Sequence, residues 1–235
     1  MLYYKNIQSL IDEREKKEYS MLIQPENLIK DFIEKSNYFF FKSDVNKIKR
    51  LINYIMSINA NNKYHPSMRA YISHPIRVAS FYLELAKKPS LEYVFISLLH
   101  NFFEITSLKE KELVKNGFSE KTCKAIKILT INRQLQHKHS YLKDYYSKIE
   151  HFSKNLALIK CIDKLDNLLA IKVISSKTDR LNYIKVSEKY VYPIAQRISK
   201  ELSIFFKKTI FYAYKENFDK SFKKKLEQFN EKQNH

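Results

Sequence analysis

The sequence predicts an all-α protein, on three observations. The chain of 235 residues contains a single glycine, Gly117, and five prolines, whereas β-hairpins rely on turns that contain glycine. Apolar residues recur at helical spacing through most of the chain, and 44% of the residues are hydrophobic, which suffices for the core of one domain. Serines with a glutamate close behind precede two of the helical patterns, as N-caps often do.

The first predicted helix begins near Pro25, since proline and an acidic residue favour the first turn of a helix. Its apolar stripe consists of Leu28, Ile29, Phe32 and Ile33. The three aromatic residues at 39–41 are expected to pack onto the core. A second helix is predicted over residues 45–58, and a polar loop over residues 59–70.

The remaining helices follow from the same spacing. Gly117 separates two of them, because glycine readily ends a helix. The long final pattern is either one helix or a pair broken near Pro193. The predicted helices cover residues 74–87, 90–103, 107–116, 119–130, 140–149, 155–174 and 186–218.

The formal net charge is +18, which favours anionic partners such as nucleotides, nucleic acid or acidic surfaces. A solvated surface rich in lysine is the alternative explanation.

No segment approaches the roughly 18 apolar residues of a membrane span, and no signal-peptide core is present at the N-terminus. Cys123 and Cys161 lack the spacing of metal ligands, so we expect a cytoplasmic protein. The single glycine also excludes a glycine-rich phosphate loop.

Polar residues interrupt the apolar helical pattern at residues 159–168, "IKCIDKLDNL". Asp163 and Asn167 are four positions apart and therefore share one helix face. A carboxylate and an amide on the same face of a core helix are costly unless something binds them. The pattern indicates either a metal or polar-ligand site, or a charged stripe that faces solvent.

Two histidines stand in apolar surroundings further upstream. His74 lies in "YISHPIRVA" (residues 71–79) and His100 in "SLLHNFFE" (residues 97–104). A lone histidine in such a place is more often an ordinary core residue than a ligand. Two histidines followed by a helical aspartate form a recognisable set.

These three motifs resemble those of the HD-domain metal-dependent phosphohydrolases. They are most similar to the hydrolase domain of SpoT/Rel-type (p)ppGpp enzymes and their small single-domain relatives. "YPIAQRI" (residues 192–198) is similar to the run that follows the HD core in those proteins. The resemblance implies an HD-domain helical bundle over residues 44–200. It leaves an N-terminal helical extension at residues 1–43, and a long C-terminal helix with a basic tail at residues 201–235.

The resemblance also implies a divalent metal ion, with manganese favoured over iron or zinc. The corresponding ligand positions here are His74, His100, Asn101 and Asp163. Glu104 occupies the place of a catalytic carboxylate that orients or deprotonates the attacking water. A capping or surface role for Glu104 stays open.

The implied substrate is a nucleotide pyrophosphate ester, with a ppGpp-like alarmone of the stringent response as the best candidate. Asn167 would bind its ribose or phosphate side, and Lys160 and Lys164 would attract its diphosphate. Ordinary surface lysines are the alternative for the last two. The oligomeric state is not predicted.

The sequence departs from the family pattern at positions that would bind metal or substrate. Asn101 replaces the aspartate of the His-Asp motif, and Ile105 replaces the second residue of a Glu-Asp pair. Residues 65–68 replace a nucleotide-binding Arg-Lys-Ser-Gly stretch and keep only Ser67. Three functions therefore stay open: an altered hydrolase, a catalytically degenerate HD protein that binds a nucleotide or protein partner, or a basic helical adaptor that binds nucleic acid.

Overall fold

The computed structural model describes residues 25–58, 71–171 and 176–218. These ranges form helices joined by short connections and contain no β-strand, which confirms the all-α prediction. Residues 1–24, the predicted loop with residues 65–68, and the basic tail from residue 219 onward lie outside the described residues. The described helices are α1 (Pro25–Ser36), α2 (Lys42–Ser57), α3 (Ser73–Leu85), α4 (Leu91–Leu99), α5 (Phe102–Ile105), α6 (Glu110–Lys115), α7 (Glu120–Leu129), α8 (His139–Phe152), α9 (Lys154–Leu169), α10 (Lys177–Val186), α11 (Tyr192–Ile198) and α12 (Lys200–Phe218).

Helix α9 lies at the centre of the bundle and is buried on most sides. It packs against α3, α8, α11 and α12. Ser153 caps its N-terminus, because the Ser153 hydroxyl accepts a hydrogen bond from the backbone N–H of Leu156 at 3.0 Å. A helix enclosed in this way is apolar around its circumference, so any polar side chain on it needs a specific partner.

The N-terminal helices pack onto this core. Helix α1 contacts α3, and α2 contacts α4 through the predicted apolar stripe, whose members Ile48, Leu51, Ile52 and Ile55 are all buried. Of the aromatic residues at 39–41, only Phe40 packs against the core, whereas Phe39 and Phe41 are exposed. The expectation for those two was wrong because they lie in the turn between α1 and α2. The predicted domain boundary between residues 43 and 44 falls inside α2.

The predicted continuous helix over residues 90–103 is interrupted. Helix α4 ends at Leu99, and α5 starts at Phe102 after Asn101 adopts φ −108° and ψ 11°. Asparagine tolerates this non-helical conformation because its short amide competes for backbone hydrogen bonds. His100 therefore lies at the junction between α4 and α5.

The C-terminal pattern contains a break at Ser199, where φ is −161°, and not at Pro193. Pro193 lies in the first turn of α11, where its missing N–H costs little. A π-helical turn over Ser187–Val191 accommodates it and keeps the chain helical from α10 onward. Serine at 107 does not cap a helix, since α6 starts at Glu110, whereas Ser119 caps α7 as predicted.

Among the described residues, no helix combines the length and apolarity needed to cross a membrane. Cys123 and Cys161 are both buried free thiols. Burial raises the pKa of both thiols.

Candidate metal centre

Three elements bring His74, His100 and Asp163 together. His74 lies in the first turn of α3, His100 follows the last residue of α4, and Asp163 projects from the middle of α9. One potential ligand atom of each residue lies within 4.8 Å of the others, the one such cluster found among the described residues. His100 and Asp163 are buried, and His74 is largely so.

The shortest distances in this cluster join atoms that carry lone pairs. His74 Nε2 lies 3.0 Å from His100 Nε2 and 3.3 Å from Asp163 Oδ1, while His100 Nε2 lies 3.7 Å from the same oxygen. Carboxylate oxygens and unprotonated ring nitrogens repel one another at such distances. A positive centre, either a proton or a cation, is needed among these three atoms.

The opposite ring nitrogens show which atoms carry the protons. His100 Nδ1 lies 2.6 Å from the carbonyl oxygen of Ser97, and a carbonyl can only accept a hydrogen bond. His74 Nδ1 lies 2.8 Å from Asp166 Oδ2. Both Nδ1 atoms therefore act as donors, so that in the neutral rings both Nε2 lone pairs are directed at the space beside Asp163.

Electrostatics agree with this geometry. Burial alone lowers the pKa of His74, but hydrogen bonds and charge from Asp163 and Asp166 outweigh it, so that this pKa lies above its ordinary value. Burial alone would raise the pKa of Asp163, yet Lys160 and the two imidazoles hold it well below its usual range. The centre thus favours an ionised carboxylate next to a positive charge.

Asp163 has further partners on its own helix. Lys160 Nζ lies 2.9 Å from Asp163 Oδ2, and Asn167 Nδ2 donates to Asp163 Oδ1 at 2.8 Å and to the Asp163 backbone carbonyl at 2.9 Å. The predicted substrate-binding residues Lys160 and Asn167 therefore lie at the centre, and both contact the predicted metal ligand.

Lys164 directly follows Asp163 in the sequence and is partly buried. Its Nζ is 4.1 Å from the centroid of the Tyr183 ring, within the range of a cation–π contact. Burial, with a smaller contribution from the Lys160 charge, lowers the pKa of Lys164 to about 7. Lys164 can therefore take or give up a proton near neutral pH.

Glu104 is engaged by the segment that follows α7. Its Oε1 accepts a hydrogen bond from the Ile131 backbone N–H at 3.1 Å. Its Oε2 accepts from Arg133 Nε at 3.1 Å and Nη2 at 2.8 Å. The Glu104 side chain is 5% exposed, whereas that of Arg133 is 69% exposed. The predicted catalytic role of Glu104 stays a prediction, and acting as a base would require it to release one of these donors.

Asn101 follows His100 directly, at the break between α4 and α5. The Asn101 amide opposes the rise that burial causes in the pKa of the neighbouring Tyr71. The role of Asn101 as a fourth ligand stays a prediction.

Asp166 and Arg77 are site residues that the sequence did not identify. Asp166 is 1% exposed and joins His74 to Arg77, whose Nη2 lies 3.0 Å from Asp166 Oδ2. The available signal was a second carboxylate in an apolar helix, three residues after Asp163. An arginine three residues after His74 was the matching signal on α3.

No protein-family model matches the sequence, and no curated protein matches it significantly. Among solved structures, the fold matches that of a metazoan ortholog of SpoT that is described as hydrolysing ppGpp and as having a role in starvation responses. The two share 18% sequence identity with a TM-score of 0.56, and the match covers 74% of this chain and 97% of the other. The resemblance to SpoT-type hydrolases predicted from the motifs is therefore confirmed at the level of the fold.

Proposed function

We propose that the protein is an HD-type metal-dependent phosphohydrolase that cleaves a nucleotide pyrophosphate ester, with a (p)ppGpp-like alarmone as substrate. One observation carries the proposal. Two imidazole Nε2 atoms and a carboxylate oxygen converge while both Nδ1 protons are already held by acceptors. The proposed substrate class is taken from the fold match to a SpoT ortholog.

The donor set fits a divalent transition metal. Two imidazoles and one carboxylate suit manganese, iron or zinc and leave positions for water and substrate. A cation bound there would polarise a phosphoryl oxygen and acidify the attacking water.

The surrounding side chains supply charge and proton transfer. Lys160 is buried beside Asp163, and Lys164 has a pKa near neutrality. An anionic diphosphate would favour the protonated form of Lys164 and bind next to it. In this proposal Glu104 orients the attacking water after exchanging one of its hydrogen-bond donors for that water.

Hydrolysis of alarmones by purified protein with Mn(II) tests the proposal. The panel contains ppGpp, pppGpp, GTP and ATP. The His100→Ala variant is the control, because His100 belongs to the cluster. We expect release of pyrophosphate from the alarmones by the wild type alone. Equal product from both proteins would reveal a contaminating activity and remove the proposal.

A second candidate function is nucleotide binding without turnover. Both Asp163 oxygens already have donors in Lys160 and Asn167. Such a protein would be stabilised by nucleotide in the absence of metal, since a ligand that binds only the native state raises stability. A thermal shift that requires Mn(II) and disappears with chelator would contradict this second function.

A further inference from the structure

We propose that Asp166 and Arg77 form a positioning pair that sets the tautomer and ring orientation of His74 for metal binding. This inference rests on the proposed metal centre. It assigns a role to Asp166, which contacts the candidate ligand His74, and to Arg77, which holds Asp166.

Asp166 has the geometry that this role requires. Its Oδ2 accepts a hydrogen bond from His74 Nδ1 at 2.8 Å. Arg77 holds the same carboxylate through Nε, at 3.2 Å from Oδ1 and 3.3 Å from Oδ2, and through Nη2 at 3.0 Å from Oδ2. A planar guanidinium that contacts both oxygens fixes the plane of the carboxylate as well as its position.

Burial makes this arrangement rigid. Asp166 is 1% exposed, so that water does not compete for its oxygens. His74 and Arg77 are three residues apart on α3 and reach Asp166 across the α3–α9 contact. Helix α9 therefore provides Asp163 as a candidate ligand and, three residues later, the acceptor that orients another ligand.

The chemical consequence lies at the far side of the His74 ring. With the proton on Nδ1, the Nε2 lone pair faces His100 Nε2 and Asp163 Oδ1. The opposite tautomer would direct an N–H into the same space and exclude a cation. Partners of this kind commonly affect metal affinity by about 10- to 100-fold.

A buried ion pair that only stabilises the fold is the competing explanation, and Asp166→Asn separates the two. The amide is isosteric, but its NH2 group can donate a hydrogen bond to His74 Nδ1. That bond favours the tautomer in which the ring proton is on Nε2. The same exchange next to a catalytic histidine of serine proteases causes a large loss of activity through the wrong tautomer. Asp166→Asn is therefore expected to weaken Mn(II) binding about 10- to 100-fold while the protein stays folded.

Two measurements on full-length protein test the inference. Calorimetric titration with Mn(II) gives the affinity. Nitrogen-15 NMR of the imidazoles in metal-free protein gives the tautomer, at a pH above the raised pKa of His74 so that its ring is neutral. We expect Nδ1–H at His74 in the wild type and Nε2–H in Asp166→Asn. The matched control is Glu150→Gln, which weakens an ion pair with Arg197 and should change neither result.

Unchanged Mn(II) affinity in a folded Asp166→Asn protein, or an unchanged His74 tautomer, would overturn the inference. If that variant does not fold, Arg77→Lys serves instead, because it keeps the charge and loses the two-point contact. We expect it to weaken Mn(II) binding less than Asp166→Asn does, and affinity equal to the wild type would again contradict the role. Wild-type protein that binds no Mn(II) would overturn the proposed function, whereas the tautomer measurement would still decide what Asp166 does.

Discussion

Lys160 and Asp163 form a buried ion pair within one turn of α9, with Nζ 2.9 Å from Oδ2 and both side chains 5% exposed. Arg77 and Asp166 form a second ion pair close by, with side chains 14% and 1% exposed. Each carboxylate that contacts the histidine cluster is thus already matched by a cation. A divalent metal ion adds positive charge that these residues do not balance, so an anionic ligand is favoured along with it.

Replacement of Lys160 tests the first pair. Lys160→Met leaves the Asp163 carboxylate buried without its cation, and breaking such a pair costs about 3–5 kcal/mol. The metal-free variant should therefore melt at lower temperature, and Mn(II) should restore more stability to it than to the wild type. Thermal denaturation with and without Mn(II) measures both effects.

Lys121→Met is the matched control, because Lys121 pairs with Glu92 at 3.0 Å on the exposed surface, where solvent screens such pairs and they contribute little to stability. A metal-induced shift that is no larger in Lys160→Met than in the wild type would show that Lys160 does not compete with the cation.

The charge balance also predicts coupling between metal and anion. Mn(II) should bind more tightly when phosphate is present, and phosphate more tightly when Mn(II) is present, by the same factor. A coupling factor of about 5–150 is typical of linked sites. Calorimetric titrations of each ligand at fixed concentrations of the other measure this factor. The same titrations with His100→Ala give the heat of Mn(II)–phosphate association in solution, which is subtracted. Additive binding would contradict the prediction.

Asn101→Asp is expected to raise metal occupancy. An amide oxygen brings no charge to a cation, whereas a carboxylate does, and hard or borderline cations prefer the latter. Elemental analysis of purified wild type, Asn101→Asp and Asn101→Ala gives the result. One equivalent of metal in all three would mean that position 101 is not a ligand.

The sequence identifies most of the helices, although not α10. It also identifies the two histidines with Asp163, because polar residues in apolar helical patterns are costly and rare. It does not distinguish the roles of Asp163 and Asp166, which lie on adjacent parts of one helix face. Only the packing of α3 against α9 shows that Asp166 contacts the Nδ1 side of His74 while Asp163 faces Nε2.

The breaks in the helices were harder to predict for a similar reason. The apolar pattern continues through His100 and Asn101, so spacing alone predicts one helix there, although Asn101 leaves the helical conformation. Tertiary contacts at the centre override the local preference. Gly117, in contrast, is a local signal. It follows the C-terminus of α6, as expected, with φ 82°.

Gly117→Ala tests that local signal. No atom lies within 4 Å of a Cβ placed there, so the cost comes only from the left-handed backbone, which disfavours a side chain by roughly 1–2 kcal/mol. Chemical denaturation should report a loss of about that size, and Gly117→Asn should cost less because asparagine tolerates this conformation. Equal stability of the alanine variant and the wild type would contradict the assigned conformation.

Glu104 and Arg133 can be separated by mutation. A carboxylate that orients or deprotonates water typically contributes about 10²–10⁴-fold to the rate, so Glu104→Gln should lower kcat for the alarmone by that amount. Arg133 contacts the same carboxylate but is 69% exposed, and Arg133→Gln should leave kcat within roughly tenfold because exposed ion pairs are weak. Steady-state kinetics with Mn(II), together with denaturation curves for both variants, check this expectation. Equal losses of kcat and stability in the two variants would mean that Glu104 holds the Ile131–Arg133 segment in place and takes no part in moving the water proton.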